Sequence, residues 1–394
     1  MGLSTVTVNV GQGGLGRRAP NQDKISGLLF FNDTLPSGFA SDDRVKKVFS
    51  LEEAEDLGVL DSVSAHQIEH YHISEYFRIN PEGELWLGYF AVPGGSYDFT
   101  EIATMQIAAS GEIRQMGVYA GALTYATSQL TTIQGIISGM DAAYKQFSVL
   151  YAANMEAITA VSGWSSVGDA RTLSAPKVTP IAGQDGGGAG AALYVSKSQS
   201  ITFLGAALGA VSKASVEQSI GNPENFNLSD GTELEVPALA NGDLVTDLTS
   251  TALGGIKDDG YLVLRKYTPD IAGTYAERCP TAVAATNDFA WIETNRAVDK
   301  AIRLIRSLLI PQLNSNLYLN SDGTLRNDTV GFFQDLAQGV LEGMEADGEI
   351  STGEASVNPA QDVLSTSTLT ISVQIVPVGI AETIVLNIGL TTSL

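Results

Sequence analysis

Apolar and polar residues alternate at both ends of the chain. Leu369, Ile371, Val373 and Ile375 alternate with Thr370, Ser372 and Gln374, and further on Ile384, Leu386, Ile388 and Leu390 alternate with Thr383, Val385, Asn387 and Gly389. Successive side chains leave a strand on opposite faces, so a period of two predicts two consecutive strands between Thr368 and Leu390. Pro377-Val378-Gly379 parts them without the Asn-Gly or Asp-Gly pair of a two-residue hairpin, which leaves the second strand free to pair elsewhere. Near the start, Val6, Val8 and Val10 alternate with Thr5, Thr7 and Asn9. Gly11, Gly13, Gly14 and Gly16 follow, then Arg17, Arg18 and Pro20, the composition of a hinge. A strand alone exposes N–H and C=O groups that another chain can use. Both ends are therefore expected to pair with neighbouring copies of this protein.

Between the ends the pattern becomes strands alternating with helices. Strands are predicted at Ile25–Phe31, Leu85–Val92, Arg114–Ala120, Phe147–Ala152 and Lys177–Ala182. Ser50 and Glu53 form a capping box for a short helix that Gly58 ends, and Val63–Ile79 reads as a helix stopped by Pro81. Ser128–Lys145 places Ile133, Ile136, Ile137 and Met140 on one face, and Ser198–Ser219 contains a helix of small residues. This alternation predicts a layered mixed α/β domain. It ends in a polar stretch, Ser229–Asp259, and a second block opens near Gly260 with a strand at Tyr261–Tyr267. There Asp288–Ile310 is the strongest helix. Trp291, Val298, Ile302, Ile305 and Leu309 make an apolar seam, and Arg296, Lys300, Arg303 and Arg306 stand opposite. A turn at Asn320–Gly323 precedes a helix at Val330–Glu345. After Arg326 no Lys or Arg occurs, while Glu342, Glu345, Asp347, Glu349 and Glu354 cluster.

Composition narrows the function. The 394 residues carry a formal net charge of −22, against the basic footprint that nucleic acid or an anionic membrane requires. The lone Cys279 excludes an internal disulfide framework and reads as a buried thiol. No basic segment with an apolar core opens the chain, and Ile201–Val211 is too short to span a bilayer, so a cytoplasmic site of synthesis is expected. In so acidic a chain, the four cations on one helix form either a solvated face or a surface that meets the acidic region, within one subunit or across two.

Three motifs carry candidate chemistry. His66-x-x-Glu69-His70 matches the inverted zinc-protease pattern, with His66 and His70 one helical turn apart and Glu69 as base, although a third protein ligand is not evident. The alternative is a histidine pair on an amphipathic helix. Gly11-x-Gly13-x-x-Gly16 matches the dinucleotide fingerprint, but Arg17–Asp23 offers no helix to meet a pyrophosphate, and Asp33 is the one candidate for the ribose acid. Gly186–Gly190 lacks the Gly-Lys-Ser/Thr ending of a phosphate loop and reads as a mobile loop.

The last third resembles the sheath proteins of contractile phage tails and related bacterial contractile injection systems. Ile292–Ala301 is similar to that family's Arg-x-x-Asp-Lys helix, here Arg296, Asp299 and Lys300. Asn320–Leu325 resembles the turn after it, Leu369–Leu390 its end strands, and Glu75–Pro81 with Glu84–Gly88 its early helix-to-strand passage. The resemblance implies a structural, non-enzymatic subunit without cofactors. Its inner α/β domain would come from both chain ends, residues 1–24 and 258–394 with an arm at 382–394, and its outer domain from 25–257. Thr5, Val6, Thr7, Val8, Asn9 and Val10, with Thr383, Ile384, Val385, Leu386, Asn387, Ile388 and Leu390, would be exchanged between subunits. Gly11, Gly13, Gly14, Gly16, Pro377 and Gly379 would act as hinges. Glu342, Glu345, Asp347 and Glu349 would face an inner tube. Implied partners are neighbouring copies, the tube protein, and baseplate and terminal cap proteins, in a phage tail or an injection particle, with neither nucleic acid nor membrane insertion.

Overall fold

A computed structural model describes residues 22–159, 163–267 and 269–390. The expected strand Thr5–Val10 and the hinge Gly11–Gly16 lie outside the described residues.

The apolar run Ser-Gly-Leu-Leu-Phe-Phe becomes β1 (Ser26–Phe31), buried along its whole length. There follow β2 (Val45–Val48), α1 (Leu51–Asp56), α2 (Gln67–Ile79), β3 (Leu85–Phe90), α3 (Thr100–Ala108), β4 (Gln115–Thr124), α4 (Ser128–Ala142), β5 (Ser148–Asn154), α5 (Trp164–Val167) and β6 (Val178–Pro180). These strands form one sheet in the order β2-β3-β1-β4-β5-β6. All neighbours are parallel except β2, antiparallel to β3 at the edge. Without β2, the parallel strands lie in the order second, first, third, fourth, fifth, a doubly wound arrangement. Parallel strands are covered on both faces, which is why β1 and β5 read as continuous apolar runs rather than alternations.

The capping at Ser50 is as expected: its hydroxyl accepts from the Glu53 amide, and Gly58 takes a positive φ of 86°. α2 begins at Gln67, four residues later than the expected Val63, because 61–66 forms turns.

Next come β7 (Gly183–Asp185), α6 (Ala189–Lys197), α7 (Leu204–Lys213), β8 (Pro237–Leu239), α8 (Ser250–Asp258), β9 (Leu264–Tyr267) and β10 (Ile271–Ala276). The polar stretch Ser229–Asp259 thus holds a short strand and a helix. α2 and α7 supply the core on one face of the sheet, α3 and α4 on the other. α7 lies so close to α2 that a Cβ at Gly205 would come within 2.1 Å of the His72 carbonyl oxygen. This contact is what the small-residue helix is for. The two cores run on past residue 258, with Leu262 and Leu264 in one and Tyr261 and Val263 in the other.

The last elements are α9 (Ile292–Leu309), α10 (Asn327–Ala346), β11 (Thr352–Val357), α11 (Val363–Thr366) and β12 (Ile371–Val376). They pack round smaller cores centred on Ala301, Ala337, Leu341 and Met344, and on Leu325, Phe333 and Val357. β12 is the first of the two expected tail strands, and it pairs antiparallel with β11. The second, Thr383–Leu390, is not a strand in the single chain. Backbone pairing needs a partner, and none of the described residues supplies one.

Candidate subunit interface

α9 is amphipathic, and its faces are used in an unexpected sense. The charged side is the docking side. Arg296, 5% exposed, donates to the carbonyl oxygens of Ser215 (3.0 Å) and Ala214 (3.1 Å) at the end of α7. Burial lowers its pKa to about 10. Asp299 takes both carboxylate oxygens to Lys177 Nζ, at 2.8 and 2.9 Å, and Lys177 also reaches Asp141 at 2.9 Å. Lys300 sits between Asp23 (2.8 Å) and Glu349, and Arg303 donates to Asp23. Burial would raise the Asp23 pKa, but Arg303 and Lys300 outweigh it and the carboxyl lies below its usual range. Arg306 stacks 3.7 Å from the Tyr144 ring centroid. The Arg296, Asp299, Lys300 stretch is therefore what fastens α9 to the sheet. Of the two fates open to the basic stripe, it meets an acid of the C-terminal region, Glu349, within one subunit. It meets Asp23 and backbone carbonyls as well.

The apolar seam is only partly uncovered: Trp291 lies against Arg171 and Arg278, Ile305 and Leu309 are half-buried against the smaller cores, and Ile302 is exposed. Val298, Ile302, Ile305 and Leu309 line an open groove of about 430 Å³ whose far wall is Val373 and Ile375 of β12. Ile302 is 39% and Leu313 70% exposed. A second groove of about 500 Å³ continues it past Leu313 to Phe333 and Leu369. Turning α9 over would strand four buried charges, so the ionic face fixes its rotation and leaves the seam partly uncovered.

The hairpin beside this groove has one protected edge and one open edge. On β11 the Gln338 side chain donates to the Gly353 carbonyl (3.2 Å) and accepts from the Ala355 amide (2.9 Å). Along β12 a side chain engages the backbone at Thr370, through Gln361, just before the strand starts. From Ile371 to Val376 the outer edge has no strand partner among the described residues.

Beyond β12 the chain leaves the hairpin. Ser351 Oγ donates to the Pro377 carbonyl at 2.9 Å, and the space around Gly379 is open. Glu382 then lands between Lys257 (2.8 Å) and Arg278 (2.9 Å). Arg278 is itself held over the Trp291 ring at 4.0 Å and bonded to Glu293. After Glu382, Ile384, Leu386, Ile388 and Leu390 are all at least 79% exposed.

Of the four acids expected on one outward surface, Glu342, Glu345 and Asp347 are exposed at the end of α10. Glu349 is 8% exposed and committed to Lys300, so it does not share that surface. A buried cation demands a buried anion, and Glu349, just past the end of α10, supplies it.

The chemical motifs are engaged structurally. In a doubly wound sheet, ligands bind beyond the carboxyl ends of the strands where the winding reverses, here β1 and β4. Asn32, directly after β1, donates to Glu69 Oε1 and to the Ala65 carbonyl, both at 2.7 Å. His66 Nε2 lies 3.1 Å from the Thr34 carbonyl oxygen, and His70 Nε2 lies 2.8 Å from Glu55. Burial raises the Glu69 pKa. The two histidines thus turn their Nε2 atoms to separate partners. No group of three or more His, Cys, Asp or Glu among the described residues could hold a metal ion. The Gly186–Gly190 segment is tied down rather than mobile: the Gly187 and Gly188 amides donate to Asp185 and the Ala189 amide to Glu233, so acids already occupy the amides a phosphate would use. Cys279 is fully buried, its thiol pushed up to about 12. No described helix is long and apolar enough to cross a membrane.

Sequence reasoning missed Asp23, Lys177, Lys257, Arg278 and Gln338, and read Glu382 only as the start of an arm. A signal for Glu382 was present: it is the sole charged residue from Val363 to Leu394.

No curated protein matches the chain. Two solved structures match over its whole length. A chain of the anti-feeding prophage (AFP) baseplate, 6-fold symmetrised, aligns over 99% of this chain and 100% of its own, with a TM-score of 0.60 and 14% identity. A chain of an extracellular contractile injection system, the PVC sheath complex in the contracted state, aligns over 99% of both chains, with a TM-score of 0.65 and 12% identity. At these identities the likeness is one of fold, and the fold is sheath-like. The profile of the DUF2586 N-terminal domain matches residues 3–279 and that of the DUF2586 C-terminal domain residues 288–394, and the chain belongs to the DUF2586 family.

Proposed function

We propose that this chain is a structural subunit of a contractile sheath. It polymerises helically around an inner tube, is held by strand exchange between subunits, and shortens to drive the tube through a target envelope. The observation that carries the reading is the open edge of β12 beside an uncovered apolar groove, in a chain whose own tail presents alternating apolar residues to solvent. In the assembly, Thr383, Ile384, Val385, Leu386, Asn387, Ile388 and Leu390 of one copy lie along β12 of another. Their alternate side chains enter the groove over α9. Thr5–Val10 supplies the second exchanged strand. A strand matched to β12 forms about half a dozen backbone hydrogen bonds, each contributing roughly 0.5–1.5 kcal/mol. Apolar burial adds about 25 cal/mol per Å². Links of that strength persist while other contacts switch.

Gly11, Gly13, Gly14, Gly16, Pro377 and Gly379 absorb the rotation. The division into an inner part (1–24 and 258–394) and an outer part (25–257) describes radial position in the particle; the hydrophobic cores cross it. Glu342, Glu345 and Asp347 face a basic surface on the tube protein, and baseplate and cap proteins close the ends. The role is mechanical and calls for no cofactor.

The test is electron microscopy of the chain expressed with its tube protein. The full chain gives striated or hollow cylinders, and a chain lacking Thr383–Leu394 gives none. Cylinders from the shortened chain would overturn the reading.

A further inference from the structure

We propose that Glu382 is a releasable latch that stows residues 377–382 against the sheet body and so sets how far the C-terminal arm reaches. The inference rests on the sheath reading above. Four observations support it. Glu382 is the one charge in the stretch Val363–Leu394, and it falls between two cations. Those cations belong to the sheet body, Lys257 on α8 and Arg278 before α9, whereas β12 belongs to the hairpin. Residues 377–382 therefore strap one body to the other. The strap is thinly attached. Val378 and Ile380 are half-buried, while Pro377, Gly379, Ala381 and Glu382 are exposed. Lastly, the receiving cations stay oriented without the strap. Lys257 also pairs with Glu277 at 3.3 Å, and Arg278 keeps Glu293 and the Trp291 face. Opening therefore strands no buried charge, and reclosing needs no rearrangement of the receiver.

With the latch closed, the described arm starts at Thr383. With it open, six more residues join the arm, at about 3.3 Å each, so the free contour of the arm lengthens by roughly 20 Å. A hinge at Pro377 and Gly379 has little freedom while its far side is pinned, so the latch gates the hinge. When subunits change position in a lattice, an arm already paired with a neighbour would lengthen by opening this contact instead of leaving the neighbour's sheet.

The first measurement is a spin-label distance on the unassembled subunit, between Thr383→Cys beside the latch and Thr251→Cys, exposed on α8. The closed latch is expected to give one narrow distance distribution, and Glu382→Gln a broad one. Glu382→Asp, which keeps the charge, is expected to stay narrow. A distribution unchanged by Glu382→Gln overturns the latch, and this holds whether or not cylinders form.

The second measurement uses Lys257→Cys with Glu382→Cys, joined by a short bismaleimide. The native Cys279 is buried and stays unmodified. Joined subunits are expected to build extended cylinders that fail to shorten in mild urea, while unjoined ones shorten. Equal shortening overturns the gating role. A wild-type chain that forms no cylinders counts against the sheath reading alone, because the distance measurement decides the latch independently.

Discussion

The sheet body and the hairpin body solve the same packing problem with different partners. In the sheet body every parallel strand is covered on both faces by helices of the same chain, and the antiparallel edge strand β2 carries Lys46 and Lys47, charges that discourage a further strand. In the hairpin body, α9 buries its charges and shows part of its apolar seam, and β12 ends in an open edge. One body is completed by its own chain. The other keeps an open strand edge, which the proposed exchange would complete. The same chemistry accounts for both: an ionic face that must be buried fixes the orientation of a helix, whatever that leaves exposed opposite.

The sharpest way to break this comparison is a crossed pair of substitutions. Ile302→Asp alters a groove residue that is 39% exposed, so the subunit should lose roughly 1–2 kcal/mol and stay folded, while cylinders disappear. Leu204→Ala opens a cavity in the fully buried core between α7 and the sheet, and should cost roughly 2–5 kcal/mol. Below its lowered melting temperature, that variant should still assemble. Urea titration and electron microscopy give the two readouts. If Ile302→Asp unfolds the subunit, or assembles normally, the division of labour fails.

Next in size is the ionic face of α9. Lys300→Met leaves the buried Glu349 without its cation and Asp23 with Arg303 alone, and should cost roughly 3–5 kcal/mol. The loss should be concentrated in α9 and α10. Hydrogen exchange there should rise well before exchange in β1 and β4 does. A uniform rise would show that the two bodies unfold as one unit. Smaller again is the effect of Glu342→Lys with Glu345→Lys, both exposed. Subunit stability should stay within about 0.5 kcal/mol, and the fraction of tubes that carry sheath should fall several-fold.

Continuous apolar runs and a period of 3.6 made most of the sheet body legible, because its central strands are buried on both faces and helices such as α2 and α4 bury one side. Strands β1, β3, β4, β5 and β6 and helices α2, α4, α7, α9 and α10 follow the hydrophobic pattern within a few residues. What escaped was short or mixed. β7 and β8 have three residues each, and β11 reads Thr-Gly-Glu-Ala-Ser-Val, too polar to announce that it is the partner of β12. The orientation of α9 escaped for a different reason. Periodicity shows that a helix has two faces but not which one the rest of the chain can satisfy. That depended on Asp23, Lys177 and Glu349, residues remote in sequence whose carboxylates and ammonium group meet α9 only in the fold.

The last comparison is how the two bodies respond to acid. The hairpin body buries charges in pairs, whereas the sheet body buries a lone neutral imidazole. His72 is fully buried among Phe30, Tyr71 and Tyr119, neither ring nitrogen has a hydrogen-bond partner among the described residues, and burial lowers its pKa to about 3. In the unfolded chain a histidine takes a proton near pH 6.5. With the folded value depressed, the stabilisation is complete above pH 6.5 and is lost as pH falls towards 3. Between pH 7 and pH 5 the loss is about 2 kcal/mol. Glu69, Glu75 and Glu293 have raised pKa values through burial and oppose this trend, so the wild-type profile mixes both signs. They titrate equally in His72→Phe, which keeps a ring in the same aromatic cluster. The difference between the two proteins therefore isolates His72. Urea titrations at pH 7 and pH 5 should show His72→Phe gaining about 2 kcal/mol on wild type as the solution is acidified. A constant difference would mean that water reaches the imidazole, and that the core between α2 and the sheet is less closed than that of a self-sufficient body.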